Sequence, residues 1–233
     1  MTDFSKFLKV RFGDVVEIYT PTSFKQKKSI LGNQSYIYVP KTFCAMQTKF
    51  AWREDEDLMD GYAVVSKYKE IDLLYIFTIM NSIGFQIYLN CGVLFKKVNL
   101  TLKKLMGVPF VITNSEYQEV IFSLEVLIVQ IQDSINSHKA DAFAGFRVSL
   151  FKEVRDYISI QMLTIDILKE LDIDVFGAWV DLFNNFWEER NFMCSSEEAQ
   201  VQIARMLLEP ENMVMTELKK MRLVIEQISN SLL

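Results

Sequence analysis

Residues 72–112 read DLLYIFTIMNSIGFQIYLNCGVLFKKVNLTLKKLMGVPFVI, and the reading of this stretch decides the fold of the whole chain. No charged side chain stands between Asp72 and Lys96. A bilayer span needs about 20 predominantly apolar residues, so a membrane helix is the first reading to weigh. Against it, Asn81, Ser82, Gln86 and Asn90 recur at helical spacing as a narrow polar seam, and Gly84 and Gly92 weaken the helix. A helix apolar on nearly every side is also what the interior of a sizeable domain demands. The stretch is therefore expected to hold a long buried core helix with no membrane contact.

The second half of the stretch is more specific. Lys96 and Lys97 make a basic connector, and Thr101 can cap a short helix over Leu102–Met106. Gly107 is expected to end that helix in the left-handed conformation, and Pro109 prevents its continuation. Ser115 and Gln118 have capping-box spacing ahead of another apolar-striped helix. The expected order is strand (61–67), long helix, basic connector, short capped helix, Pro-containing strand, capped helix.

The segments carrying this order are GYAVVSK (61–67), LLYIFTIMNSIGFQIYL (73–89), KVNLTLKKLMGVPFVI (97–112) and SEYQEVIFSLEVLIVQIQ (115–132). Together, over about residues 58–135, they resemble the end of a DNA target-recognition domain in type I restriction-modification specificity subunits. In that family a strand, a helix, a short helix and an apolar Pro-containing strand lead into a long helical spacer. The resemblance rests on hydrophobic patterns, not on reactive residues. It implies recognition of double-stranded DNA, with methylation and cleavage left to other chains. Full specificity subunits carry two such domains and two spacers, whereas this chain has room for one. The resemblance leaves three readings open, a one-domain relative, a piece separated from a methyltransferase or a domain reused for another purpose, with a homodimer and a methyltransferase subunit as candidate partners.

Composition bounds the rest. Half of the 233 residues are hydrophobic, and 18 Phe stand against 8 Gly and 4 Pro, which excludes a disordered chain. The start MTDFSKFLKV lacks the apolar core and cleavage site of a signal peptide. Cys44, Cys91 and Cys194 are odd in number and form no CxxC pair, so free thiols in a reducing cytoplasm are expected. The net charge of −5 speaks against nucleic acid, but its distribution does not. Residues 1–110 carry 15 Lys and Arg against 10 Asp and Glu, and residues 111–233 carry 10 against 20. A basic half followed by an acidic half predicts two surfaces with different partners.

Residues 1–70 read as short strands and turns, with FGDVVEIY and SYIYVPKTFCAMQ rich in β-branched and aromatic residues. Lys25, Lys27 and Lys28 fall between strands, followed by Lys41, Lys49 and Arg53. Lysines on loops usually form only a solvated face. Beside Gln26, Asn33, Gln34 and Gln47, however, they suit a DNA surface: Lys25, Lys27, Lys28, Lys41, Lys49, Arg53, Lys96 and Lys97 would hold phosphates, and the four amides would read base edges. The acidic run Glu54–Asp57, with Asp60, lacks the spacing and glycine of a calcium loop and reads as a solvated turn. On a DNA-binding domain it should lie away from the duplex.

From Ser115 onward the periodicity is helical. Tyr117, Ile121, Leu124, Ile128, Ile131 and Ile135 follow alternating steps of four and three, as do Val214, Leu218, Met221, Ile225, Ile228 and Leu232. Each set makes a coiled-coil seam or bundle core, and the two are expected to pack antiparallel. Between them, residues 142–171 predict a helix with Phe143, Phe146, Leu150, Val154 and Tyr157 on one face. A further helix at 175–190 carries Phe176, Trp179, Phe183, Phe186 and Trp187, a stripe that suits core packing better than base stacking in so acidic a half. Ser195 with Glu198 opens a fifth helix, and Pro210 interrupts before the last.

His138 is the only histidine, and no P-loop, dinucleotide fingerprint or Asn-Pro-Pro-aromatic motif occurs. No spacing of carboxylates points to a metal, and no cofactor is expected. The sequence thus predicts an α+β protein with a recognition-like α/β domain at 1–112 and a helical bundle at 113–233. It is expected to bind DNA without catalysis, the alternative being a helical protein-interaction scaffold.

Overall fold

The computed structural model describes residues 3–31, 35–45, 47, 49–54, 57–90, 97–190 and 197–231. The chain is α+β and divides into two compact units, Lys6–Gln118 and Met1–Ser5 with Glu119–Leu233.

The first unit runs β1 (Leu8–Arg11), α1 (Phe12–Val15), β2 (Val16–Tyr19), α2 (Pro21–Leu31), β3 (Tyr36–Val39), β4 (Thr42–Phe43), β5 (Ala51–Arg53) and β6 (Tyr62–Ser66). It continues through α3 (Leu73–Asn81), α4 (Ile83–Leu89), β7 (Val98–Asn99), α5 (Leu102–Met106) and β8 (Pro109–Ile112) to the start of α6 (Ser115–Asn136). Strands β2-β6-β3-β5 form an antiparallel sheet, with β1-β8 and β4-β7 as separate antiparallel ribbons. Alternation along the strands sends Tyr36, Ala63 and Val65 to one face, where they pack with Phe24 of α2 and with Leu58. The opposite face offers Ile37, Val39 and Val64, all fully buried, and α3 packs on β3 and β6. With both faces covered, β3 and β6 read as near-continuous apolar runs.

The long apolar segment folds as two helices, not one. Ser82 has extended backbone, ends α3 and begins α4, and its hydroxyl donates to Ile79 O at 2.5 Å. Its polar seam is buried because backbone groups use it. Asn81 Oδ1 accepts from Phe50 N at 3.2 Å, and Gln86 Nε2 donates to Asn81 O at 3.2 Å. Among the described residues no helix is long and apolar enough to cross a membrane.

Local signals near α5 come out with two corrections. Thr101 caps the helix through Lys104 N at 3.3 Å, and Pro109 opens β8. Gly107 is right-handed (φ −82°), so the short helix ends in an ordinary turn. Asn114, not Ser115, caps α6, accepting from Tyr117 N. Gln118 is instead a strut: its amide donates to Thr113 O and Glu70 O, and its carbonyl accepts from Asp72 N at 2.8 Å.

Two helices, α1 and α2, interrupt the region read as strands and turns. Pro21 suits the first turn of α2, and Thr20 and Ser23 cap it reciprocally, Thr20 N donating to Ser23 Oγ at 2.8 Å and Ser23 N to Thr20 Oγ1 at 3.4 Å.

The second unit holds most of α6, then α7 (Ala144–Leu163), α8 (Ile165–Glu170), α9 (Val175–Arg190), α10 (Glu197–Leu208) and α11 (Met213–Ser231). The helix expected over 142–171 is broken at Thr164, which ends α7 and precedes α8. Its expected aromatic face is also displaced. Leu150 and Val154 are buried as expected, but Phe143 and Phe146 are 72% and 51% exposed, and Val148, Phe151 and Ile158 complete the buried face. Phe176, Trp179, Phe183 and Phe186 of α9 are buried, and Trp179 Nε1 donates to Val120 O at 3.1 Å.

Candidate nucleic-acid interface

The lysines expected on a loop stand on a helix. Phe24 anchors α2 against the sheet, which leaves Lys25, Gln26 and Lys27 exposed on its outer side; Lys28 belongs to the same helix. A groove of about 580 Å³ runs along it, bounded by Pro21, Lys25, Gln26, Asp57 and Met59. Asp57 belongs to the acidic run expected to lie away from a DNA-binding face. It borders the same groove as Lys25, so a phosphate entering there would meet a carboxylate as well as an ammonium.

The other expected contacts are spread over the unit. Lys41, Gln47, Lys49 and Lys97 are exposed. Arg53 is half-buried on β5, and its guanidinium lies 5.9 Å from the centre of the Tyr38 ring. The Tyr38 hydroxyl donates to Asp60 at 2.7 Å, and burial, then this carboxylate, pushes its pKa up to about 12. Asn33, Gln34 and Lys96 lie outside the described residues.

A second groove, of about 390 Å³, lies against α5 and is lined by Tyr88, Thr101, Lys103, Lys104 and Pro109, among others. Tyr88 is 49% exposed, and Lys103 is exposed beside a half-exposed Lys104. Neither lysine was singled out from sequence, although the pair stands directly after the capping Thr101. Among the described residues lining this groove there is no carboxylate. Two neighbouring segments that carry cationic residues pair with its surroundings. Exposed Arg11 stands opposite Pro109 in the β1-β8 ribbon, and Lys41 O accepts from Leu100 N at 2.7 Å, one residue before Thr101.

The two helix seams are only partly closed. Ile121, Leu124, Ile128 and Ile131 are buried, while Ile135 is 39% exposed. Tyr117 belongs to the first unit, where it stacks on Phe7 at 5.7 Å. Val214, Leu218 and Met221 are buried, whereas Ile225 and Ile228 are 37% and 50% exposed; Leu232 lies outside the described residues. Among the described residues the two seam helices are not each other's main partners. Helix α11 packs principally on α9, with α7 and α10 beside it. Helix α6 instead meets α7 through the buried pair Glu125–Arg155 at 2.7 Å, and α10 through Gln130–Gln200 at 3.2 Å. A four-three repeat marks which face a helix buries but not which helix it meets.

His138 and Asp172 both have positive φ, 56° and 53°, and occupy the position after a helix end that usually belongs to glycine. Among the described residues no group of three or more His, Cys, Asp or Glu is placed to hold a metal ion. Comparison of the chain with protein-family models, with curated proteins and with solved structures found no match.

Proposed function

We propose that the chain recognises double-stranded DNA through its basic α/β unit and leaves chemistry to a partner such as a methyltransferase. The observation that carries this reading is the segregation of charge between the two units. The 15 Lys and Arg of residues 1–110 all fall within Lys6–Gln118, and the helical unit carries the acidic excess. Lysines that neutralise phosphates release counterions, which makes such binding steeply salt-dependent. The likeness of residues 58–135 to the recognition domains of type I specificity subunits points the same way. Gln26 and Gln47, both exposed, remain the candidates for base contact.

Titration of the full chain against labelled duplexes over a salt series tests this. About five phosphate contacts predict a slope of log K against log salt of roughly −4 to −5. No binding to any duplex at low salt, alone or with a methyltransferase subunit, would overturn the proposal.

The second reading, a protein-interaction scaffold, is favoured by the exposed Phe143 and Phe146 at the start of α7. Partners captured from an extract independently of nuclease treatment would support it over DNA recognition.

A further inference from the structure

The geometry points to the surface around α5, and not the lysines of α2, as the main phosphate-holding site of this protein. The inference rests on the DNA reading above and assigns it a place. Two lysines line that groove, and two further cationic residues stand on segments paired with its neighbours. Lys103 and Lys104 line the groove itself, Arg11 stands opposite Pro109 in the β1-β8 ribbon, and the Lys41 carbonyl accepts from Leu100 N, one residue before Thr101. Tyr88 supplies a half-exposed ring in the same groove, a surface on which a sugar or an unstacked base can rest.

The comparison between the two grooves decides the assignment. On α2, Lys25 shares its groove with Asp57, so the field at a phosphate is partly cancelled. At α5 the described lining residues contain no carboxylate, and the one shown beside the flanking Arg11 is Asp14, which accepts from Arg11 N at 3.2 Å. The α5 surface is also rigidly mounted. Leu105 is fully buried beneath it, Phe12 N donates to Val108 O at 2.8 Å, and Thr101 caps the helix. Lysines carried on such a platform hold phosphates in a fixed register, which is what positions a reader on a duplex.

The test compares full-length wild type, a Lys103→Gln/Lys104→Gln variant, an Arg11→Gln variant and a Lys25→Gln/Lys27→Gln variant against one labelled duplex over a potassium chloride series. Circular dichroism confirms that each variant is folded. The α5 double variant is expected to lose roughly tenfold or more in affinity at low salt and to flatten the salt slope by about 2. Arg11→Gln is expected to flatten it by about 1, and the α2 variant to change it less than the α5 pair does. A folded α5 variant with wild-type affinity and slope, or an α2 variant that loses more, overturns the assignment while leaving DNA recognition standing. Wild-type protein that binds no duplex at all overturns both.

Discussion

Gly13 lies so close beneath Met106 that a β-carbon at position 13 would stand 2.8 Å from the Met106 β-carbon. The obstructing atom is fixed to the backbone of α5 and cannot rotate away. Gly13→Ala must therefore push α1 and α5 apart. Overpacking of this kind costs about 1–3 kcal/mol, more than the roughly 0.5–1 kcal/mol gained by replacing a helical glycine. Urea denaturation should show a lower midpoint, with an unchanged slope. A variant as stable as wild type would mean that the two elements are not held in register.

The pair Glu125–Arg155 is buried on both sides, at 7% and 6% exposure, and Arg155 also reaches Asp156 at 3.0 Å. Arg155→Met should cost about 3–5 kcal/mol, because it leaves Glu125 charged in a site without its partner. Combining it with Glu125→Leu should recover much of the loss, since an apolar pair avoids the desolvation of both ions. Thermal melts of the single and double variants separate these outcomes. A double variant no better than Arg155→Met would show that the pair is needed for packing geometry and not merely compensated.

These interactions mark the boundary of what the sequence discloses. Thr101, Pro109 and the apolar run at Tyr62–Ser66 act on near neighbours, so the short helix and the two strands were legible. Helix α2 was not, because Phe24 is the one buried residue among its described side chains and no apolar stripe announces it, although Thr20, Pro21 and Ser23 spell its start. Partner choice lay further out of reach. Nothing local states that Arg11 pairs opposite Pro109, or that α11 selects α9 over α6. The candidate site suffered accordingly: Lys103 and Lys104 look like an ordinary helix end until Arg11, Lys41 and Tyr88 are placed around them.

His138 and Asp172 carry the left-handed turns after α6 and α8. In each turn the next residue donates back five positions, Lys139 N to Ser134 O at 2.9 Å and Ile173 N to Leu168 O at 3.1 Å. A side chain in this conformation costs about 1–2 kcal/mol, part of which glycine returns through the larger entropy of its unfolded state. His138→Gly and Asp172→Gly should each stabilise the chain by about 0.5–1 kcal/mol. Denaturant midpoints measure this, and a loss of stability in both would contradict the turn geometry.

Tyr38 gives the fold a dependence on alkaline pH. Burial, and then its hydrogen bond to Asp60, raises its pKa from 10.0 to about 12 in the folded chain. The folded state therefore holds this proton more tightly than the unfolded state does. Its contribution to stability is complete below pH 10 and is lost as the pH rises from 10 through about 12. Tyr38→Phe should flatten the decline of the melting temperature across that window. An identical decline in the variant would sink the assignment of this proton to Tyr38.

The two helix seams supply the sharpest contrast between position in a pattern and position in the fold. Leu124 and Ile225 both belong to the seams of their repeats, as third and fourth of six, yet Leu124 is fully buried and Ile225 is 37% exposed. Aspartate at position 124 places an unpaired carboxylate in the core, which costs several kcal/mol or forces its neutralisation. Aspartate at position 225 meets water and should cost about 0.5 kcal/mol or less, as most surface changes do. Leu124→Asp is thus expected to melt the helical unit, and Ile225→Asp to leave its melting nearly unchanged. Sedimentation adds a second readout. If the open end of the α11 seam joins two copies, Ile225→Asp will convert a dimer to a monomer without lowering the helical content. If wild type and variant both sediment as monomers, the exposed residues are only the end of a helix whose buried part, Val214 to Met221, already suffices to hold it on α9. Equal destabilisation by the two substitutions would show instead that both seams are closed along their whole length.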